Sequence, residues 1–317
     1  MDRNLALELV RVTEAAALYA SRYMGRGDEM LANSSAIEAM AKVFSSVSIN
    51  GKVINGEQDP ADGPLVKGQA VGTMNGIEAD IVVDALDGKT TCAQGGHNAI
   101  AAIAIGERGA FFNAPQLYME KIAVGPEAKG VVDITQPPSV NIKRVARASG
   151  KYIEDVTVCV LDRERHVDLI SKIRETGARI KLIRDGDISG AVATAMEDKS
   201  IDILMGVGGA KEGILAAAAL KCLNGDMQAR FVCRCDEDRA RIRDSGIDDP
   251  DRIYGIVDLV PGKNIMFSAS GVTDGELLPG VWFRPGGAET HSIVMRSKTH
   301  TVRFVNTRHH FDYKPLY

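Results

Sequence analysis

The sequence predicts the α/β fold class, because strand-like apolar runs alternate with helix-like segments through its second half. Strands are expected at Val156 to Leu161, Arg179 to Ile183 and Ile201 to Val207, and helices at His166 to Thr176, Ile188 to Met196 and Gly213 to Leu223. Elements of this length favour parallel pairing through right-handed crossovers. Residues 264–311 contain further short runs that are typical of strands.

Two amphipathic helices are predicted at the amino terminus. Apolar side chains recur three and four residues apart in residues 3–24, and the turn Gly25-Arg26-Gly27-Asp28 ends that helix. Residues 28–33 then form a polar connection in this interpretation. Ser35 and Glu38 have the spacing of a capping box, which predicts that the second helix begins there.

The middle of the chain contains one ambiguous segment and the predicted domain boundary. Residues 98–105 are apolar all round, so periodicity does not decide between a buried helix and a buried strand. Pro137-Pro138 begins a polar stretch that continues to Gly150, and this stretch is the best candidate for a domain boundary. The sequence therefore predicts an α+β domain over residues 1–150 and an α/β domain over residues 151–317.

Composition limits the classes of function. The chain has 317 residues, 45% of them hydrophobic, with a formal net charge of −4 and no block of like charges. Nucleic-acid backbones require a concentrated basic face, so nucleic acid is not expected as a partner. Neither a signal-peptide layout nor a membrane-spanning apolar run is present, and the five cysteines lack a framework spacing. These features favour a cytoplasmic protein with reduced thiols and no membrane partner.

Residues 79–90 are the most informative stretch. The apolar, β-branched run Ile81-Val82-Val83 indicates a buried strand, and Asp84 and Asp87 follow it on either side of Ala85-Leu86. Acidic side chains at the carboxyl end of a buried strand lie where α/β sheets bind ligands, and two of them suit Mg²⁺ or Mn²⁺. An ordinary turn also uses Asp and Gly, and spacing alone favours the turn.

Charged residues collect at the predicted strand ends. Acidic residues lie in four loops, at Glu57, at Asp84 and Asp87, at Asp185 and Asp187, and at Glu212, and arginines lie at positions 163, 165 and 184. Converging carboxylates can bind two cations that promote phosphoryl transfer, and guanidinium groups suit phosphate. Solvated loops with interspersed charges explain the same pattern equally well.

Several shorter motifs carry less weight. The glycines after residue 205 miss the spacing of a dinucleotide fingerprint, and Gly88-Lys89-Thr90 lacks the first glycine of a P-loop. Cys233-Arg234-Cys235 has no second cysteine pair, which disfavours a zinc site. His309-His310 is expected to be a surface pair. His166 could meet an anion or serve as a structural histidine, and both readings stay open.

Several longer segments resemble one family in the correct order. They include Asn113-Ala114-Pro115, Tyr118-Met119-Glu120-Lys121, Asp185-Gly186-Asp187, Gly208-Gly209-Ala210 and Phe267-Ser268-Ala269-Ser270-Gly271. Over nearly its whole length the chain resembles the class II, GlpX-type fructose-1,6-bisphosphatases. The resemblance implies a layered α-β-α-β-α sandwich of the lithium-sensitive phosphomonoesterase type. It also implies a sugar-phosphate phosphatase of carbohydrate metabolism that forms dimers or tetramers.

The resemblance also implies roles for individual residues. The implied ligands for Mg²⁺ or Mn²⁺ are Asn33, Glu57, Asp84, Asp87 and Glu212. The implied catalytic residues are Glu57, Asp84, Asp87 and Lys89. The implied contacts to the sugar phosphate are Gly88, Tyr118, Arg163, Arg165, Asp185, Asp187 and Gly209. Residues 1–150 would then bind metal, and residues 151–317 would bind the sugar phosphate.

The chain departs from the family pattern at several of these positions. Asn33 stands where the family has a metal-binding aspartate, and Glu29 stands where it has a lysine. In the family signature D-P-x-[D/E]-G-[T/S], Ala85 replaces the proline and Lys89 replaces the threonine. In the wider superfamily that hydroxyl orients the attacking water, and an ammonium group cannot accept a proton unless its pKa falls strongly. The sequence therefore supports two hypotheses: a phosphatase with a modified site, and a paralogue that binds a sugar phosphate without hydrolysing it.

Overall fold

The computed structural model describes residues 4–58, 63–197 and 200–313. Helices and strands alternate along most of this length, so the predicted α/β class is confirmed. Residues 59–62, which follow Glu57 closely in the sequence, lie outside the described residues. None of the described helices is both long enough and apolar enough to span a lipid bilayer.

The described helices and strands have the following bounds. The helices are α1 (Leu5–Ala20), α2 (Glu29–Phe44), α3 (Lys89–Ala93), α4 (Pro138–Ala148), α5 (Val167–Arg174), α6 (Asp187–Ala193), α7 (Ala210–Cys222), α8 (Asp236–Asp244) and α9 (Ile256–Leu259). The first seven strands are β1 (Ile49–Asn55), β2 (Ala70–Val71), β3 (Ile77–Asp87), β4 (Ile100–Gly106), β5 (Tyr118–Val124), β6 (Thr157–Leu161) and β7 (Arg179–Ile183). The remaining strands are β8 (Ile203–Gly209), β9 (Asp226–Phe231), β10 (Ile253–Gly255), β11 (Met266–Gly271), β12 (Trp282–Arg284), β13 (Gly287–Arg296) and β14 (Thr301–His310).

The chain divides into two compact units. Unit 1 comprises Met1–Phe111 and Gly262–Tyr317, and unit 2 comprises Phe112–Pro261. This division differs from the predicted domains 1–150 and 151–317. The carboxyl-terminal strands β11 and β13 pair with β4 and with each other, so they complete a sheet begun by the amino-terminal third. Pairing between residues so distant in sequence leaves no local signal.

The sheet of unit 1 is mixed and mostly antiparallel. Its eight described strands follow the order β12-β13-β11-β4-β3-β1-β2, with β14 on the other edge of β13. β1 and β3 are parallel, so their carboxyl ends lie at the same edge. Helices α1 and α2 pack on one face, where Leu9, Ile37 and Met40 meet Ile81 and Ile103 in one apolar core. The alternation along β3 and β4 therefore directs one set of side chains to these helices and the other set to the opposite face.

The sheet of unit 2 has six strands among the described residues, in the order β10-β9-β5-β8-β6-β7. β6 pairs in parallel with both β7 and β8, which confirms the parallel pairing predicted from the alternating pattern. β5 and β9 run antiparallel to their neighbours. The apolar core on this sheet includes Val158, Ile173 and Ile203, and helices α4 and α5 contribute to it.

The predicted start of the second helix was wrong. Helix α2 begins at Glu29, because the Asp28 side chain accepts a hydrogen bond from the Leu31 amide (2.9 Å) and caps the helix seven residues before Ser35. Asn33 is therefore helical and buried, whereas the sequence analysis placed it in a polar connection. The polar stretch after Pro137, predicted as the domain boundary, contains helix α4, whose buried face carries Ile142 and Val145. The ambiguous residues 98–105 contain strand β4.

A layer of buried polar contacts joins α1 to the sheet of unit 1. The Thr290 hydroxyl donates to Glu14 Oε1 (2.9 Å) and also lies 2.8 Å from His309 Nε2. Because the single hydroxyl proton points to Glu14, His309 Nε2 must be the donor in the second contact. His309 is thus a half-buried part of the fold rather than a surface residue, while His310 is exposed.

The Asp28 cap gives a test of how α2 is held. We expect Asp28→Ala to lower the free energy of unfolding of unit 1 by about 1 kcal/mol, because an amide at the helix start loses its acceptor. Urea titration followed by the fluorescence of Trp282, the chain's one tryptophan, reports on this unit. Asp28→Asn retains a capping oxygen and should cost much less; equal losses in both variants would contradict a capping role.

Candidate active-site residues in the two units

A β-bulge places both aspartates of unit 1 on the same face of its sheet. Asp84 pairs with Ala102 and Asp87 pairs with Ile100, so three steps along β3 oppose two steps along β4. Without the extra residue, side chains three positions apart would point to opposite faces. Both carboxylates are buried, with exposed fractions of 4% and 8%. The bulge is the local reason why the Asp84-Ala85-Leu86-Asp87 spacing can serve one site.

Glu57 contacts the backbone between these aspartates. It follows β1, the parallel neighbour of β3, and its Oε1 accepts a hydrogen bond from the Ala85 amide (2.7 Å). Its own amide donates to Leu65 O (3.0 Å). A side chain on Gly56 would overlap Leu65 O, so only glycine permits this close approach. The structure thus brings Glu57 to the bulge, as the sequence analysis proposed.

The turn between α1 and α2 docks on the short helix after the bulge. The amides of Gly25 and Gly27 donate to Cys92 O (2.9 Å) and Ala93 O (2.8 Å) at the carboxyl end of α3. Gly88 precedes α3 in the left-handed region, with φ of 96°, which requires glycine at this point of the signature. Helix α2 starts directly after this turn, so these bonds fix the start of the helix that carries the buried Asn33.

Lys89 is exposed and is the first residue of α3. The sequence analysis considered that its ammonium group could pair with Asp84 or Asp87 and replace a cation. Among the described residues no ion pair includes Lys89, so its ammonium group does not take the place of a metal cation beside Asp84 or Asp87. The side chain is instead accessible at the carboxyl end of the bulged strand.

A buried ion pair organises the implied sugar-binding residues of unit 2. Lys121 on β5 contacts the Asp187 carboxylate, and its Nζ also donates to Gly209 O (3.2 Å). Both side chains of the pair are largely shielded from water, at 3% and 9% exposure. A Cβ atom on Gly208 would overlap the Asp187 carboxylate, and one on Gly209 would overlap Glu212. The two glycines therefore make room for these acidic side chains.

Arginines occupy the neighbouring strand ends of unit 2. Arg163 forms an ion pair with Asp185, which joins the ends of β6 and β7. Arg165 donates from Nε (3.1 Å) and Nη2 (2.8 Å) to Val207 O on β8. Burial lowers the pKa of Arg165; Tyr118 and Asp187 act to raise it, whereas the nearby charges of Arg163 and Arg234 lower it. Repulsion between these guanidinium groups makes the region favourable for an anion.

Tyr118 lies against two guanidinium groups. The Cζ atoms of Arg165 and Arg234 are 5.3 Å and 4.5 Å from the centre of its ring, both within the range of cation–π attraction. The ring remains 41% exposed, so its free surface and hydroxyl face solvent. The structure brings together Tyr118 and Arg165, both predicted from the sequence, and adds Arg234.

His166 has a structural role in unit 2. Its Nδ1 lies 2.7 Å from Leu161 O, and the Val207 amide donates to its Nε2 (2.8 Å). These partners require the neutral ring with the proton on Nδ1, because Nε2 must accept. The ring ties the end of β6 to β8 and is 1% exposed. The sequence left open whether His166 meets an anion or is a structural histidine, and this geometry favours the structural role. The ring binds the amide of Val207, the residue whose carbonyl Arg165 contacts.

The donor set of unit 1 fits a hard divalent cation. Across residues 4–58, 63–197 and 200–313, no three acidic, histidine or cysteine side chains form a ready-made metal cluster. Mg²⁺ rarely needs one, because it binds through one or two carboxylates together with waters and substrate phosphates. Glu57, Asp84, Asp87 and Asn33 present only oxygen donors, and all four are buried. Buried carboxylates are costly unless a positive charge accompanies them.

Sequence reasoning missed two residues of unit 2. Lys121 lies in a segment quoted for the resemblance, but a single lysine within a strand carries no sign that its ammonium group pairs with a residue 66 positions later. Arg234 was noted only as the residue between two cysteines. The register of β5 with β9 brings it to Tyr118, and that register is not readable from either segment alone.

The buried His166 predicts a pH dependence of stability. Burial, together with Arg165, Arg163 and Lys121, lowers its pKa in the folded state below about 6.5, the unfolded value. The folded state then binds fewer protons, so its stability is fully present above pH 6.5 and falls as the pH drops below it. We expect His166→Asn to lose this part of the pH dependence. Amide exchange in β6 and β8 between pH 7.5 and 5.5 measures it.

His97→Asn is the matched control, because His97 is exposed and lies in unit 1. This variant should keep the wild-type pH dependence of amide exchange in β6 and β8. An unchanged dependence in the His166 variant would show that another group is responsible.

Comparison with known proteins identifies the family of this chain. A model of the family described as "Bacterial fructose-1,6-bisphosphatase, glpX-encoded" matches residues 3–309. The chain is 40% identical over 337 aligned positions to the D-fructose 1,6-bisphosphatase class 2/sedoheptulose 1,7-bisphosphatase of Synechococcus sp. (strain JA-2-3B'a(2-13)), covering 98% of this chain and 97% of that protein. It is 37% identical over 328 positions to fructose-1,6-bisphosphatase 1 class 2 of Escherichia coli (strain K12), covering 99% and 97%. The chain therefore belongs to the bacterial glpX-encoded fructose-1,6-bisphosphatase family, a metal-dependent family of phosphoric monoester hydrolases.

Proposed function

We propose that this chain is a Mg²⁺- or Mn²⁺-dependent phosphatase that removes the 1-phosphate of fructose 1,6-bisphosphate or of a related sugar phosphate. The observation that carries the proposal is the hydrogen bond from the Ala85 amide to Glu57 Oε1 (2.7 Å), which brings a third buried carboxylate to the bulge between Asp84 and Asp87. The names of the relatives support the substrate class, and the Synechococcus name extends it to a seven-carbon sugar bisphosphate.

In this proposal the residues of unit 1 hold the cation. Glu57, Asp84 and Asp87 supply charged oxygens, and Asn33 supplies a neutral one. When bound, the cation supplies Lewis acidity toward phosphate oxygens and a water of lowered pKa. Asp84 and Asp87 project from one rigid strand, so they orient their ligand without a loop rearrangement.

The residues of unit 2 hold the sugar phosphate in this proposal. Arg163 and Arg165 provide guanidinium groups that match phosphate oxygens. Asp185, Asp187, Gly209 and Tyr118 offer carboxylates, a carbonyl and a hydroxyl to sugar hydroxyls. Gly88 and Lys89 are assigned to the reacting phosphate, because the exposed Lys89 follows the carboxylates directly in sequence.

The non-catalytic hypothesis has no support from the structure. It depended on Lys89 neutralising the aspartates, and no described carboxylate pairs with that residue.

We further propose a cytoplasmic homo-oligomer, as the resemblance implies. The five cysteines are free thiols, in keeping with a reducing compartment. Light scattering on the purified chain tests the dimer or tetramer.

Phosphate release tests the reaction. We expect the chain to release phosphate from fructose 1,6-bisphosphate with Mn²⁺ or Mg²⁺, and chelation with EDTA to abolish the release. Glu57→Gln should lower kcat/KM at least about 100-fold, because it removes a ligand charge but keeps the acceptor for the Ala85 amide.

The matched control is Glu78→Gln, on the exposed beginning of β3, which should retain wild-type activity. No release from any sugar bisphosphate with either metal would refute the proposed function. Equal losses in the Glu57 and Glu78 variants would refute the assignment of Glu57.

The departures from the family pattern give a separate prediction. Asn33→Asp should lower the Mn²⁺ concentration for half-maximal activity by about tenfold, because a charged oxygen joins the ligand set. Lys89→Thr should raise kcat by about tenfold or more, because the hydroxyl can orient and relay the proton of the water. Lys52→Thr, another exposed lysine of unit 1, is the control. Unchanged activity in both site variants would remove these two positions from the site.

A further inference from the structure

Lys121 is a buried base in unit 2 to which the proposed function assigns no role. Its side chain is only 3% exposed, although lysine is almost never fully buried unless it is paired. Among the described residues, Asp187 is the acid with which it forms an ion pair. Burying an unpaired ammonium group is costly, so the groups that Lys121 contacts indicate what the residue does.

The backbone of unit 2 confines the Lys121 side chain along its length. Lys121 lies on β5, where it is paired with Gly206 of β8 and Ala229 of β9, so it stands inside the sheet rather than at an edge. A Cβ atom on Gly213 would lie 3.2 Å from Lys121 Cδ, and one on Gly208 would lie 2.7 Å from its Nζ. Both distances are shorter than ordinary van der Waals contact. The ammonium group is therefore held in one place.

The Lys121 ammonium group joins two residues that the proposed function assigns to the sugar. It contacts Oδ2 of Asp187, the first residue of α6, and it donates to Gly209 O (3.2 Å) at the end of β8. Arg165 also attracts Asp187, but from beyond ion-pair distance. The Asp187 side chain makes no other hydrogen bond to the described residues, so its Oδ1 is left for a ligand. One carboxylate oxygen is thus held by the protein, and the other points in a fixed direction.

We propose that Lys121 is a positioning residue for the substrate, which acts through Asp187 and Gly209 and touches no reacting atom. The inference rests on the proposed function, since that function supplies the sugar hydroxyls that Asp187 binds. Lys121 fixes the direction of Asp187 Oδ1 and offsets the cost of burying its carboxylate. The hydroxyls are bound alike before and during hydrolysis, so this contribution lowers KM more than it raises kcat.

Steady-state assays of the full chain with Mn²⁺ and fructose 1,6-bisphosphate test the positioning role. Lys121→Met should raise KM at least about tenfold, the equivalent of one hydrogen bond to a charged group, and leave kcat within about threefold. Asp187→Asn should raise KM by a similar factor. The double variant should stay within about threefold of Asp187→Asn, because Lys121 acts through that carboxylate. Residues that act independently would instead multiply their effects to about a hundredfold.

Lys151→Met is the matched control. Lys151 also pairs with a buried carboxylate of unit 2, that of Asp202 (2.7 Å), but Asp202 accepts from the Thr157 amide (3.0 Å) and is not an implied contact of the sugar phosphate. This variant should melt at a lower temperature and keep KM within about twofold of wild type.

Lys121→Gln is the second variant of the site. It removes the charge but retains an N–H donor for Asp187, so KM should rise at least about threefold and less than in Lys121→Met. Thermal melting establishes that each variant is folded, and Lys121→Gln carries the test if the methionine variant is not.

Four results would overturn the positioning role: a wild-type KM in the folded Lys121 variants, a loss in kcat alone, multiplied effects in the double variant, or an equal rise of KM in Lys151→Met. Each requires phosphate release by the wild type, so the proposed function stands in all four. If the wild type releases no phosphate, the proposed function is overturned, and calorimetric titration with fructose 6-phosphate replaces the assay. Weaker binding in Lys121→Met that disappears in the Asp187→Asn background would then retain the positioning role, and no binding to the wild type would overturn it as well.

Discussion

The hydrogen bond from the Ala85 amide to Glu57 links the parts of unit 1 that carry its chemistry. It joins the segment after β1 to the bulge of β3 and gives the buried Glu57 carboxylate a hydrogen-bond donor. Gly56 permits a second contact of the same segment, from the Glu57 amide to Leu65 O, because a side chain at position 56 would overlap that carbonyl. The fold thus accepts three buried carboxylates at one strand end, an arrangement stabilised when a cation binds.

Unit 2 handles its charges in the opposite way. Three of its acids lie in ion pairs near the implied sugar-binding residues: Asp187 with Lys121, Asp185 with Arg163, and Glu120 with Arg230. The guanidinium groups of Arg165 and Arg234 lie against Tyr118. Unit 1 therefore presents oxygen ligands that suit a cation, while this region of unit 2 presents guanidinium groups that suit an anion.

Local patterns predicted most strands, the parallel arrangement of β6, β7 and β8, and the importance of the Asp84 region. They were wrong about the start of α2, and the observed division into two units differs from the predicted domains. Asn33 was assigned to a polar connection, since the cap by Asp28 competes with an equally plausible box at Ser35 and Glu38. The domain boundary was placed at residue 150, because the return of β11 to β4 leaves no trace in either segment. The catalytic assignments came from the family resemblance, and spacing alone favoured an ordinary turn.

The departures at positions 29, 33 and 89 are best understood together. Relative to the family pattern, Asn33 and Lys89 each add one positive charge, and Glu29 in place of a lysine removes two, so the sum is unchanged. Glu29 and Asn33 lie four residues apart on α2, which places them on one face of the helix. Relative to the family pattern, the carboxylate on that face stands at position 29 instead of position 33, and no described residue pairs with Glu29. The two replacements on α2 together lower its charge by one unit, and Lys89 at the start of α3 adds one unit back.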